Sequence, residues 1–341
     1  MLRSAMHYLS PGGAGAKLSI LIFHRVHAQQ DELFPGEVDA ARFDRICGWL
    51  SSWFNVLPLD NAVQQLLVGT LPARAAAVTF DDGYADNLTV AAPILLRHSL
   101  PATLFVASGY LNGGLMWNDR LIEALRSTTL DAIDLSDAGL PGLGRLPLHD
   151  IAARQQAAPV LLSAAKYLGS DARNAFAELV ERLAEVARAK SPMLTTEQLR
   201  SWRDAGLGVG GHTATHPILR RLPLAEAAND IAQGRASLED MLQQPVTLFA
   251  YPNGQPDVDY DADIARAVAD AGFGAAFTTA WGACVGGDDR YQLPRFTPWD
   301  QQRWRFGARL VANLRRRGAK TTSTPSNGGA NALLERPGRL V

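Results

Sequence analysis

Short apolar runs that do not alternate with polar residues recur along this chain, and amphipathic stretches separate them. The runs are LSILIF (18–23), AAVTF (76–80), ATLFVA (102–107), LGVG (207–210), VTLFA (246–250) and GAAFTT (274–279), with FNVLP (54–58) a weaker seventh. A strand with one wet face alternates, so a run without alternation is buried on both faces, as in a sheet covered by helices. Helical spacing fills the intervals, over Ala41–Trp53, Tyr84–His98, Thr196–Ala205, Ala225–Leu242 and Ala262–Ala271. That alternation predicts an α/β fold built on a parallel sheet, open or closed into a barrel. Residues 117–195 interrupt it with helical patterns around Asp119–Arg126, Ala152–Leu168 and Ala172–Lys190 and no convincing strand, and are read as a helical insertion. Beyond Gly318 the polar stretch TTSTPSNGGAN has too few apolar residues to pack, which predicts a disordered tail over 318–341.

A chain of 341 residues with 47% apolar and 20% charged residues can bury a sizeable core as one large domain or two ordinary ones. Its 33 basic and 34 acidic residues leave a net charge of −1, which argues against a chain-wide nucleic-acid surface. The balance is uneven, however: from Arg303 onward nine Lys/Arg face a single acid, Glu335. Within 299–317, Trp304, Ala308, Val311 and Leu314 fall near helical spacing with arginines on the other faces. A basic amphipathic helix over 301–317 is expected, either docked on its own protein or touching an anionic membrane surface. Two cysteines, Cys47 and Cys284, are too few for a disulfide framework. In the N-terminal segment 1–17, polar and Pro-Gly residues after His7 break any signal-like apolar stretch, and no run approaches the roughly 20 residues of a membrane span. The expectation is a cytoplasmic protein, peripheral at the inner membrane face if the basic helix reaches lipid.

The polar residues able to do chemistry follow the predicted strands directly. His24-Arg25 ends the first run, Asp81-Asp82-Gly83 the second, and Gly211-His212 follows LGVG; Tyr251-Pro252-Asn253-Gly254 ends VTLFA, and Trp281 follows GAAFTT. In parallel α/β folds the carboxyl ends of the strands share one rim, so residues distant in sequence would converge there. Asp81 and Asp82 read as a solvated turn or helix cap, or as a pair in which one carboxylate binds a cation and the other stays free as a base. His212 and His216 read as two ordinary histidines, or as the i, i+4 pair that one face of a helical turn offers a divalent metal, with Pro217 holding His216 extended and stopping a longer helix. Together they make a His₂Asp set with open positions, the pattern of a catalytic zinc rather than a structural one.

With these residues in view, TFDDG (79–83), HTATH (212–216), LFAYPNG (248–254) and LPRF (293–296), in that order, resemble the polysaccharide deacetylases, the chitin-deacetylase-like carbohydrate esterases. FHRV (23–26) and MLTTEQLRSWRDAGLGVGGHT (193–213) extend the resemblance, which covers 18–300 apart from the insertion. It implies a distorted (β/α) barrel of about seven parallel strands and hydrolysis of an N-acetyl or O-acetyl group on a sugar polymer or its lipid-linked precursor. Asp81 matches the family's catalytic base. Asp82, His212 and His216 match its metal ligands, usually for zinc, with cobalt or nickel as substitutes. The tetrahedral oxyanion would be held by the metal and a backbone N–H of the Tyr251–Gly254 turn, that of Asn253. Three positions depart from the family pattern. The arginine that orients the base is replaced by Ala250, with Arg295 as candidate substitute. No histidine follows His216, which leaves His24 as candidate general acid or as a helper to the ligands or substrate. Of the fourth motif only Trp281 stands in place, as an apolar wall. The competing readings keep the fold and metal for another small amide or formyl group, or make the barrel a catalytically silent glycan binder.

Overall fold

The apolar runs form strands because their β-branched and aromatic side chains can be buried on both sides of a sheet. In a computed structural model describing residues 2–140, 142–297, 299–316 and 321–322, the strands are β1 (Lys17–Phe23), β2 (Asn55–Val56), β3 (Ala75–Phe80), β4 (Thr103–Val106), β5 (Ala132–Asp134), β6 (Arg145–Pro147), β7 (Gly208–Gly211), β8 (Leu248–Ala250), β9 (Ala275–Phe277) and β10 (Cys284–Val285). The chain divides into two compact units. The first comprises Met1–Asp31, Gly36–Gly114 and Pro192–Thr322; the second holds Glu32–Pro35 with Leu115–Ser191.

In the first unit one sheet runs β10-β1-β3-β4-β7-β8-β9, with β2 beside β3. All its pairings are parallel except β1 with β10. The sheet curls, and the LPRF segment bridges its two ends. Leu293 pairs with Phe277 of β9 and Phe296 with Leu21 of β1, and Phe296 exchanges hydrogen bonds with Ile20 and Ile22 at 2.7 and 2.9 Å. This is the distorted (β/α) barrel expected, with seven parallel strands.

Alternation along each strand separates two cores. Leu18, Ile20, Ala75, Ala77, Phe105, Ala250, Phe277 and Leu293 share the cluster inside the curl. Leu21, Phe23, Val78, Phe80, Leu104, Val106, Phe249 and Phe296 join the surrounding helices in the other. In the interior the alanines of β3, β8 and β9 leave room for the rings of Phe105 and Phe277, 5.4 Å apart. Gly210 lies against the Phe105 ring, where an added Cβ would come within 2.5 Å of it.

Three features differ from the sequence reading. Leu2–Leu9 is a helix rather than a plain segment, and its Leu2 side chain reaches Gly307 of the terminal helix Arg303–Arg315. That terminal helix docks on its own unit through Phe306, Leu310 and Leu314, whereas Trp304 and Ala308 of the face read from spacing are exposed. In the second unit the helices Trp117–Ser127, Ile151–Lys166 and Ser170–Leu183 are joined by the antiparallel pair β5–β6. Three-residue strands are too short for alternation to reveal. The proposed tail over 318–341 lies, apart from 321–322, outside the described residues.

Candidate active site

The parity that places Ala75, Ala77 and Thr79 on one face of β3 carries Asp81, the residue after the strand, toward the same interior. Its N–H donates to Phe23 O at 2.9 Å, which ties it to the end of β1. On the far side of β1 from β3, Leu293 and Arg295 share the inward parity of LPRF. The two side chains meet: Arg295 Nη1 and Nη2 donate to Asp81 Oδ1 and Oδ2 at 2.7 and 2.8 Å, a bidentate pair. Arg295 is wholly buried, donates through Nε to Thr278 O at 3.1 Å, and lies over the Phe105 ring at 5.4 Å. Burial, the largest influence on Asp81, pushes its carboxyl up; the guanidinium, with His212 and His24, outweighs burial and holds it below the usual carboxylate range.

Asp82 turns the other way. It has φ +77°, a left-handed conformation unusual outside glycine, and this separates two adjacent carboxylates that would otherwise repel. The sheet order places β4 between β3 and β7, so β4 holds both sides of the cluster. Ala107 N–H donates to Asp82 O at 3.2 Å, and His212 N–H to Val106 O at 3.0 Å. The result is a convergence on Asp82 Oδ1, with His212 Nε2 at 3.4 Å and His216 Nε2 at 3.3 Å. Neither contact is aligned as a hydrogen bond, which leaves Oδ1 buried without a partner.

The His212–His216 segment is a loop, not the helical turn expected. Thr213 and His216 have φ +67° and +52°, so His216 is left-handed rather than extended. The loop is braced from outside. Asp230, on the helix Leu224–Leu242, accepts from the N–H groups of Ala214 and Thr215 at 2.8 and 3.1 Å. One turn on, Gly234 allows close approach; a Cβ there would sit 2.5 Å from Thr213 C. Nothing local marks Asp230 in the sequence, since an acid on an amphipathic helix reads as solvated surface. His212 Nδ1 lies 2.7 Å from Ala250 O. A carbonyl only accepts, so Nδ1 carries the proton and Nε2 presents its lone pair toward Asp82. Ala250 thus serves the site through its backbone where an arginine side chain was sought.

This donor set fits a divalent transition metal. Asp82, His212 and His216 offer three ligand atoms within 4.8 Å of one another, imidazole and carboxylate are donors that such an ion takes, and the unpartnered Oδ1 lies at the point of convergence. Burial pushes Asp82 up, but the charge of His216 and the contacts with both imidazoles dominate and set it well below the ordinary range.

The remaining predicted residues differ in placement. His24, at the end of β1, is exposed, and its imidazole has no hydrogen bond or ion pair among the described residues. The Asn253 N–H is likewise without a hydrogen-bond partner among them, in a turn with φ +57°. Tyr251, at the start of the same turn, is buried. Its hydroxyl donates to Tyr291 O at 2.9 Å, its N–H to Phe277 O at 3.1 Å, and its ring stacks on Tyr260, so it packs the core and offers no donor to substrate. Trp281 is half-buried in a cluster with Phe296 and Trp299, at 5.5 and 4.5 Å between rings.

Comparison with known proteins follows the same lines. A family model described as polysaccharide deacetylase matches residues 69–133 and 167–276. YxkH of Bacillus subtilis (strain 168) is 20% identical over 282 residues, covering 82% of this chain and 71% of the relative. Among solved structures, the Streptococcus pyogenes deacetylase PplD superposes with a TM-score of 0.57 at 18% identity, covering 88% of this chain and 99% of that one. IcaB from Ammonifex degensii gives 0.56 at 19%, covering 90% and 99%. On the family model, over a barrel of matching fold, this chain belongs to the polysaccharide deacetylase family.

Proposed function

We propose that this chain is a metal-dependent hydrolase that removes an N-acetyl (or O-acetyl) group from a sugar of a polysaccharide or lipid-linked glycan precursor. One observation carries the reading: two adjacent carboxylates have opposite partners, Asp81 a buried guanidinium and Asp82 a pair of imidazole nitrogens. Zinc, or cobalt or nickel in its place, would be held by Asp82, His212 and His216, and when bound supplies the Lewis acidity that polarises an acyl carbonyl and lowers the pKa of water to about 7. Asp81, kept ionised and oriented by Arg295, takes a proton from the attacking water. The Asn253 N–H donates to the developing oxyanion. His24 donates a proton to the sugar nitrogen as the C–N bond breaks, and acetate and the free amine leave. Trp281 supplies an apolar wall. PplD, a fold relative, is a deacetylase solved in complex with acetate, which supports acyl hydrolysis as the reaction class.

The test is acetate release from N-acetylglucosamine oligomers and lipid-linked N-acetyl sugars by chelated protein reloaded with zinc, cobalt or nickel, alongside metal analysis. Restored release supports the reading. Bound metal without acetate points to another small amide or a formyl group, and failure to bind metal points to a silent glycan-binding barrel. The setting we propose is cytoplasmic. The exposed Arg303, Trp304, Arg305 and Arg315 of the terminal helix are the side offered to an anionic membrane; equal vesicle flotation of full-length protein and a 1–300 truncation would remove that part.

A further inference from the structure

The stretch after Asp81-Asp82-Gly83 does not enter an ordinary helix. Asn87–Ala91 form a π-helical turn ahead of the helix Ala92–Arg97. Such turns are rare and frequent at functional sites, because the wider turn re-aims side chains. Here two side chains reach back to the end of β1. Asn87 Nδ2 donates to His24 O at 2.8 Å. Asp86 Oδ1 accepts from Val26 N–H at 3.2 Å, and its Oδ2 from Arg25 Nε at 2.8 Å. The Arg25 guanidinium also lies over the Tyr84 ring at 4.8 Å. Residues 24–26 are therefore fastened, one after another, to residues 84–87, the continuation of the segment that carries both site carboxylates.

Asn87 is the informative member. It is wholly buried, and its Oδ1 has no hydrogen-bond partner. An unsatisfied buried acceptor is destabilising, so an apolar side chain of similar size would serve packing at least as well. What the amide supplies is a donor, held to the His24 carbonyl at 2.8 Å and more loosely to Asp86 Oδ1 at 3.4 Å. The His24 imidazole has no fastening of its own among the described residues, which leaves the backbone to set its position. We infer that Asn87 is a positioning residue for the reaction: it fixes the backbone at His24 and so holds the imidazole where the leaving nitrogen needs a proton. The inference rests on the proton-donor reading of His24 given above.

An amine leaving group must be protonated, whereas the phenolate of an aryl acetate departs without a proton. The zinc-loaded full-length enzyme is therefore assayed on N-acetylglucosamine oligomers and on 4-nitrophenyl acetate. Asn87→Leu removes both polar atoms at similar volume, and Asn87→Ala stands in if the leucine variant does not fold. Asn87→Leu and His24→Gln are each expected to lower kcat on the amide about 10–100-fold, with KM little changed, and to slow the ester roughly tenfold less. Added to His24→Gln, Asn87→Leu slows the amide no further. Equal losses on both substrates, or additive losses in the double variant, overturn the positioning role while leaving His24 as the acid. An unimpaired His24→Gln sinks the proton-donor reading itself, and the inference with it. A readout independent of turnover is the side-chain NMR resonance of His24 in ¹³C-histidine-labelled protein. It shifts or broadens in Asn87→Leu, and an unmoved resonance overturns the inference whatever the substrate.

Discussion

Replacing Arg295 by methionine would strand the Asp81 carboxylate. In the folded protein both its oxygens face the guanidinium, at 2.7 and 2.8 Å, and both side chains are nearly inaccessible, 0% for Arg295 and 3% for Asp81. Removing one member of such a buried pair costs about 3–5 kcal/mol, which for a domain of this size lowers Tm by roughly 10 °C. The sign with pH follows from the shift. In the wild type Asp81 titrates below its ordinary value, so its contribution to stability is present above about pH 4 and is lost as the pH falls through the folded pKa. In the variant, burial is opposed only by His212 and His24 and raises the carboxyl. The stability deficit of the variant is then largest near neutrality and narrows in acid. The acidic limb of kcat/KM moves upward over the same interval, since Asp81 must be ionised to accept a proton. Denaturation and acetate release measured from pH 4 to 8, with metal content followed in parallel, test both effects. Arg295→Met with Asp81→Asn removes the stranded charge and recovers stability without activity. If the single and double variants melt alike, or the acidic limb does not move while metal is retained, the account of this pair is wrong.

Other perturbations separate the remaining roles. Asp82→Ala and His212→Ala lose metal and turnover together, whereas Asp81→Asn keeps the metal and loses about 10²–10⁴-fold in kcat; metal analysis beside acetate release reads both, and near-normal rates in Asp81→Asn would refute the base assignment. Gly234→Ala drives a methyl into the Thr213 backbone, 2.5 Å from its carbonyl carbon, so metal titration should show weaker binding than in an exposed Gly→Ala control such as Gly169→Ala, where the added Cβ meets nothing. Metal affinity should also fall with acidity from an unusually high pH. Burial lowers His212, but Asp82 and Asp81 outweigh it and raise the imidazole above its ordinary value in metal-free protein, so protons compete above about pH 6.5. Calorimetric titrations across pH 5–8 would show the onset, and an onset well below pH 6.5 would contradict it.

The parallel strands were legible because they lie in apolar runs, and burial on both faces admits little else, whereas β5, β6 and β10 are too short to leave such a run. For the same reason the rim could be read: chemistry placed just after each strand must collect at one end of a parallel sheet. The loop carrying the histidines was not legible. An i, i+4 spacing suits a helical turn, but the observed φ values at Thr213 and His216 come from contacts with Asp230 and Gly234 on a helix whose sequence looks ordinary. The packing of Tyr251 was not legible either, because its neighbours Tyr260 and Tyr291, which engage its ring and hydroxyl, approach only in the fold.

Local pattern thus determined the kind of sheet, the covering helices, and which residue types stand at the strand ends. Those outcomes depend on side-chain period and apolarity within a few residues. Only the tertiary structure decided the partners: that Arg295 faces Asp81 across 214 residues, that Ala250 acts on His212 through a carbonyl, and that Asn87 grips His24. Pairings of that kind follow from the curl and closure of the whole sheet, which no local stretch of chain encodes by itself.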